Sequence, residues 1–207
     1  MRIAGLILAG GQARRLGGRD KALVALNGKP LMAYAFATLT KQTAPVLISA
    51  AGDLARFGGL VPGVAIADDL PGFQGPLAGI LAGLDFLART VPDVSHMLSL
   101  PVDTPFAPGD MARRLQAAMA LAGVPASAAY AGRLHPAVTL WPLATRQALR
   151  AMVEGDDIRA VTKALARLNG VSVAWDDLAY DPFFNINSAE DLARAEVILA
   201  ERSGLDD

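Results

Sequence analysis

A chain of 207 residues that is 53% apolar and 19% charged has the content for one large core, and a net charge of −1 excludes the broad basic face of a nucleic-acid binder. The absence of cysteine removes disulfides, thiolate metal sites and cysteine nucleophiles, and agrees with a cytoplasmic location. The mean hydropathy of +0.34 comes largely from alanine, and no apolar run reaches the roughly 18 residues of a membrane span, so no membrane partner is expected.

Short apolar runs alternate with longer amphipathic stretches, which predicts an α/β fold around a largely parallel sheet. The first strand, Ile3–Leu8, is too short for the apolar core of a signal peptide. It runs into Leu8-Ala-Gly-Gly-Gln-Ala-Arg-Arg-Leu-Gly-Gly-Arg-Asp-Lys-Ala-Leu23, four glycines and four cations in sixteen residues. Over residues 1–30 the cations Arg2, Arg14, Arg15, Arg19, Lys21 and Lys29 face Asp20 alone. Glycine lets successive backbone N–H groups close around phosphate oxygens, and Arg15 and Lys21 add charge; the bland alternative is a solvated basic turn. The loop is not a Walker A motif, because Gly28-Lys29 is followed by Pro30, and it holds no G-x-G-x-x-G.

Further along, a helix is expected over Pro30–Gln42 and strands over Val46–Ser49 and Val64–Ala67, the latter running into Asp68. Gly75-Pro76-Leu-Ala-Gly79 opens a helix over Pro76–Thr90. Its glycines would leave room for a base or ribose, or merely start a helix. A strand at Met97–Leu100 delivers Asp103 to the same sheet edge. A lone carboxylate there suits Mg²⁺, a hard cation that completes its shell with phosphate and water; it also suits an Asx-turn over Thr104-Pro105. A helix at Pro108–Ala122 precedes strands at Ser127–Tyr130 and Val138–Trp141. His135, on an expected turn between these strands, could reach a substrate, whereas His96 reads as a structural edge residue. Helices at Leu143–Val153 and Asp157–Leu168 and a strand at Val171–Trp175 follow. Asn185 and Asn187, two apart on an extended segment, point the same way, toward a phosphate or pterin or as caps for the last helix, Ser188–Arg202. Ser188-x-x-Asp191 reads as a capping box for that helix. No repeat or Gly/Ser-rich linker divides the chain, so residues 1–207 are read as one domain. No Ser/His/Asp set or H-E-x-x-H offers protein nucleophile or zinc chemistry.

Taken together, these residues resemble the molybdenum cofactor guanylyltransferases, within the nucleotidyltransferases of glycosyltransferase-A-like fold. The resemblance rests on Leu8-Ala-Gly10-Gly11, Arg15, Gly17-Gly18, Asp20-Lys21, Leu26-Asn-Gly28-Lys29-Pro30-Leu31, Asp68, Gly75-Pro76-Leu77-Ala78-Gly79, Asp103-Thr104-Pro105, His135-Pro136 and Asn185-Ile-Asn187. Sugar-phosphate nucleotidyltransferases usually place Pro and Thr after the loop arginine. Molybdopterin cytidylyltransferases typically carry Ala at the position of Gly10 and an Asn-Pro segment at Gly75-Pro76. Ser49 stands where guanylyltransferases often have Asn. The resemblance implies a three-layer α/β/α Rossmann-like fold. The N-terminal part would bind GTP through Leu8, Ala9, Gly10, Gly11, Lys21, Asp68, Gly75, Pro76, Gly79 and Asp103, and the C-terminal part would face molybdopterin, or its molybdenum-loaded form, through Asn185 and Asn187. It makes Arg15, Lys21 and Asp103 catalytic and Asp103 the Mg²⁺ ligand, in a reaction yielding molybdopterin guanine dinucleotide and pyrophosphate. Hand-over of a labile cofactor points to transient contact with a pterin-donor protein and an acceptor molybdoenzyme. Cytidylyl transfer, sugar-nucleotide synthesis and a non-catalytic pterin- or nucleotide-binding module are the alternatives.

Overall fold

The computed structural model describes residues 2–10, 12–13, 19–57, 59–67 and 75–203. In chain order these form β1 (Arg2–Leu8), β2 (Gln12–Ala13), β3 (Arg19–Asp20), β4 (Ala25–Leu26), β5 (Lys29–Pro30), α1 (Leu31–Thr40), β6 (Val46–Ala50), β7 (Val64–Ala67), α2 (Pro76–Thr90), β8 (Val94–Pro101), α3 (Met111–Ala122), β9 (Ala126–Tyr130), β10 (Arg133–Pro142), α4 (Arg146–Glu154), α5 (Val161–Arg167), β11 (Val171–Ala174) and α6 (Ala189–Ser203). One seven-stranded sheet runs β11-β9-β10-β8-β1-β6-β7. Every neighbouring pair is parallel except the two that β10 makes, with β8 and with β9.

Strand β1, inside the sheet between β8 and β6, explains the layers. From Ile3 to Leu8 every residue of β1 is buried, as a strand covered on both faces must be. Successive side chains alternate: Ile3 and Ile7 pack with Met32 and Leu39 of α1 and with Leu115 of α3. Ala4, Leu6 and Leu8 pack with Leu77, Ile80 and Leu84 of α2, Leu149 of α4 and Val161 of α5. A third cluster seats α6, through Ala195, on Leu26, Leu31, Phe106 and Ile186. Helix α2 lies close to the sheet because two of its residues lack a side chain. A Cβ on Gly79 would meet Ser49 Oγ at 2.5 Å, and one on Gly83 would meet Met97 Sδ at 2.8 Å. Asp85, buried on α2, ties it to α4, accepting from Arg146 Nη1 at 3.1 Å and from Arg150. Among the described residues no helix is long and apolar enough to cross a membrane.

The differences from the expected elements have local causes. Pro30 belongs to the β4–β5 hairpin rather than to α1, turned by Asn27 (φ 48°) and Gly28 (φ 73°). Proline opens only α2; α3 begins at Met111, after Pro108. Leu143–Thr145 is a 3₁₀ turn leading into α4. His96 lies in central strand β8, not at an edge. His135 lies in β10 rather than on a turn, because β9 and β10 form a two-residue hairpin through Ala131 (φ 47°) and Gly132 (φ 75°). The capping box on α6 is present: Ser188 N donates to Asp191 Oδ2 at 3.0 Å and Asp191 N to Ser188 Oγ at 3.2 Å.

Candidate active site

Strands β1, β6 and β8 end together, with Leu8 beside Ser49 on one flank and Pro101 on the other. Ligands of open α/β sheets bind beyond such carboxyl ends. Val102 N donates to Leu8 O at 3.1 Å and Ala9 N to Ser49 O at 2.8 Å, so the loops leave the sheet side by side. Leu8 and Ala9 are buried, and Gly10 is the first exposed residue of the glycine-rich loop. Gly11, Arg15 and Asp68 lie outside the described residues.

Asp103 is 8% exposed and lies within a turn that Thr104 closes with its hydroxyl on Pro101 O at 2.7 Å. Its Oδ2 accepts from Lys21 Nζ at 2.5 Å and its Oδ1 from Asn185 Nδ2 at 2.8 Å. Asn187 Oδ1 accepts from the same Lys21 Nζ at 2.5 Å. Ile186 N donates to Asp103 O at 3.0 Å, pinning the asparagine segment against the Asp103 turn. The two asparagines therefore converge on one ion pair from the C-terminal side, and the cap of α6 is left to Ser188 and Asp191. Four side chains from three widely separated segments meet here: an ammonium, a carboxylate and two amides.

Asp20 and Arg56 complete the arrangement: Asp20-Lys21 is one of the motifs of the resemblance, which gives Asp20 no role of its own, and Arg56 falls in none of them. Asp20 Oδ1 accepts from Ala22 N at 2.9 Å, capping the 3₁₀ turn Lys21–Leu23. Its Oδ2 accepts from Arg56 Nε at 2.6 Å, and Arg56 lies over the Phe57 ring at 4.3 Å. Asp20 thus sets the backbone that carries Lys21, and Arg56 holds Asp20. The signal for Asp20 was legible, since an aspartate two residues before a backbone N–H it can cap is an Asx-turn. Nothing in the local pattern connects Arg56 to a residue 36 positions earlier.

At the head of α2, Gly75 is exposed with φ 125° and ψ 177°, a conformation that glycine alone adopts freely, and Pro76 is exposed beside it. Gly79 differs. It is buried one turn further on, its missing Cβ facing Ser49 and Leu8. The expectation that Gly79 leaves room for the nucleotide is corrected: it leaves room for the strand. Ser49 Oγ, buried and without a hydrogen-bond partner, is sealed beneath it.

Among the described residues no three His, Asp or Glu side chains gather as a metal cluster. One carboxylate suffices for an ion that takes its remaining ligands from phosphate and water. The oxygens of Asp103 and Asn187 already enclose a positive charge, the Lys21 ammonium, which stands in for a cation at that point. The residues present therefore fit a hard divalent ion.

A parallel sheet with one reversed strand, a glycine-rich first loop and a Lys–Asp pair at the carboxyl edge define an α/β nucleotidyltransferase. Residues 5–171 match the model of the MobA-like NTP transferase domain, and the chain belongs to that family. It is 46% identical to a molybdenum cofactor guanylyltransferase of Bradyrhizobium sp., over 96% of this chain and 93% of that protein. It is 45% identical to the molybdenum cofactor guanylyltransferase of Cereibacter sphaeroides, over 96% and 98%. The crystal structure of molybdopterin-guanine dinucleotide biosynthesis protein A from Archaeoglobus fulgidus superposes with a TM-score of 0.76 at 25% identity, covering 96% of this chain and 99% of that one.

Proposed function

We propose that this protein, acting in the cytoplasm, transfers GMP from GTP to the terminal phosphate of molybdopterin, giving molybdopterin guanine dinucleotide and pyrophosphate. The observation that carries the reading is the meeting of Lys21, Asp103, Asn185 and Asn187 at the carboxyl edge of the sheet. The names of the relatives agree with it.

A phosphate monoester has a second pKa of about 6, so at neutral pH the attacking oxygen is already largely ionised and needs no general base. One bond forms, from that oxygen to the α-phosphorus of GTP. One breaks, between the α-phosphorus and the oxygen bridging to the β-phosphorus, and its electron pair leaves with pyrophosphate. What remains for the protein is alignment and charge neutralisation. Lys21 exchanges Asp103 and Asn187 for phosphate oxygens, freeing both acceptors. Asp103, with Asn187, would hold Mg²⁺, which when bound draws off charge from the reacting phosphates. The backbone around Gly10 and Gly11, with Arg15, grips the triphosphate. Asp68, Gly75 and Pro76 meet the nucleoside at the head of α2, and Asn185 and Asn187 face the acceptor. Within one domain the N-terminal part therefore holds GTP and the C-terminal part the pterin. The product is then handed on in transient contact with donor and acceptor proteins.

The test is pyrophosphate release from GTP, CTP and UTP in the presence of Mg²⁺ and molybdopterin. Strong preference for GTP is expected. Preference for CTP would overturn the guanylyl assignment, and no release with any nucleotide would make the chain a carrier rather than an enzyme.

A further inference from the structure

Strands β1 and β6 end side by side, with Leu8 opposite Ser49, and one side chain ties their outgoing loops together. Each loop contains a 3₁₀ turn that an aspartate begins. Asp20 Oδ1 accepts from Ala22 N at 2.9 Å in the turn Lys21–Leu23, and Asp53 Oδ1 accepts from Ala55 N at 2.9 Å in the turn Leu54–Phe57. Arg56, on the second turn, bridges both aspartates. Its Nε donates to Asp20 Oδ2 at 2.6 Å and its Nη1 to Asp53 O. The face of its guanidinium lies 4.3 Å from the centre of the Phe57 ring, and Phe57 is buried.

Ion pairs on an open surface contribute little, because two long side chains must be held in one geometry against solvent. The Arg56–Asp20 pair differs on two counts. Its side chains are largely covered, 27% and 18% exposed. Both are also bonded from more than one side, so neither turns away without giving up a second contact. The turn that Asp20 caps is the backbone of Lys21, whose ammonium is held by Asp103 and Asn187 at 2.5 Å. An unpaired Asp20 would be free to leave that cap, and would set a negative charge next to a lysine aimed at phosphate. Arg56 removes both faults with one guanidinium, a planar fork able to bond along its edge while its face packs on a ring.

We infer that Arg56 is a positioning residue for phosphoryl transfer: by holding Asp20 it fixes the turn that carries Lys21, and it acts through that lysine without touching substrate. The inference rests on the guanylyl-transfer reading above. It makes the loop after β6 part of the phosphate machinery, although that loop contributes none of the four side chains that meet at Asp103.

Two measurements test it, the first without any substrate. In ¹H–¹⁵N spectra of the full chain, Arg56→Gln should move the Ala22 backbone amide and the Asn187 side-chain amide. Gly170 N, bonded to Leu165 O at 2.8 Å beside β11 at the other edge of the sheet, should stay. Unmoved Ala22 and Asn187 resonances would overturn the inference whatever the kinetics. The second is a cycle of turnover numbers with Lys21→Ala. Arg56→Gln should lower kcat about tenfold in the parent, a part of the 10²–10³ assigned to a preorganised charge, and less than about twofold once Lys21 is gone. An equal fall in both backgrounds would overturn the inference, because it would mean that Arg56 meets substrate itself or supports the fold at large. If Arg56→Gln does not fold, Arg56→Lys carries the same cycle with a smaller loss, since it keeps the cation but not the fork that reaches Asp20 and Asp53 together. Should the resonances move while the parent releases no pyrophosphate from GTP, the guanylyl reading fails and the positioning of Lys21 by Arg56 stands.

Discussion

An ammonium held between two side-chain oxygens is a charge already desolvated and aimed. Lys21 has paid its conformational cost before any phosphate arrives, because Asp20 caps the turn beneath it and Asp103 and Asn187 fix its tip. Preorganised charge of this kind commonly supplies the largest electrostatic contribution to transfer of a charged group, and removing one such group costs on the order of 10²–10³ in turnover. Lys21→Ala is therefore expected to lower kcat by that factor with the fold unchanged by circular dichroism; near-normal turnover would remove Lys21 from the chemistry. Asp103→Asn tests the other half of the pair. The amide keeps the shape of the side chain but not the anion, so activation by Mg²⁺ should require a higher metal concentration. If its metal titration overlays that of the parent, Asp103 is not the ligand.

Helix α2 sits where it does because Gly79 yields space to Ser49, and this contact can be read by substitution. A Cβ at 79 would lie 2.5 Å from Ser49 Oγ and 3.0 Å from Leu8 Cδ2. Overpacking of this kind costs about 1–3 kcal/mol, against a gain of about 1 kcal/mol in helix propensity for Gly→Ala. Gly79→Ala should lower the urea midpoint. Ser49→Ala, which deletes a buried hydroxyl without a partner, should leave it equal or higher. The double variant should recover part of the loss; strict additivity would show that Ser49 is not what Gly79 makes room for. The same scale shows what a reader of the sequence could see. The parallel strands were legible as continuous apolar runs, and the α6 capping box and the placement of Asp103 after its strand were legible from pattern. The β9–β10 hairpin was not: its turn uses Ala131 at φ 47°, a residue with no preference for that conformation, held there by Asp176 Oδ1 on Ala131 N at 2.7 Å. Without that hairpin the pattern places His135 on a turn, whereas the structure places it in β10. The Asn27-Gly28 hairpin is legible in sequence, since Asn-Gly is the commonest two-residue hairpin turn. The convergence of Lys21 with Asn187 depends on tertiary packing of α6, which no local pattern encodes.

Over the whole molecule the two histidines set how stability answers to acid. Both have pKa values below the ordinary 6.5, chiefly because burial disfavours the charged ring. The unfolded chain therefore takes up protons below about pH 6.5 that the native protein refuses, and stability rises with pH wherever the unfolded state binds more protons. The loss begins as pH falls through the unfolded value and levels off once it passes the folded ones. The carboxyls of Asp177 and Glu190 act in a separate window. Each is held below its ordinary value, 3.8 and 4.5, first by a backbone hydrogen bond and then by Arg114 and Ser188 respectively, so their contribution disappears only at lower pH. Urea midpoints measured between pH 7.5 and 5.5 should thus fall with acid before any of these carboxylates titrates. In His135→Gln the fall should shrink, leaving the part that His96 carries. A midpoint independent of pH across that range would mean that the native protein binds as many protons as the unfolded chain, so that neither His135 nor His96 is held below the ordinary value.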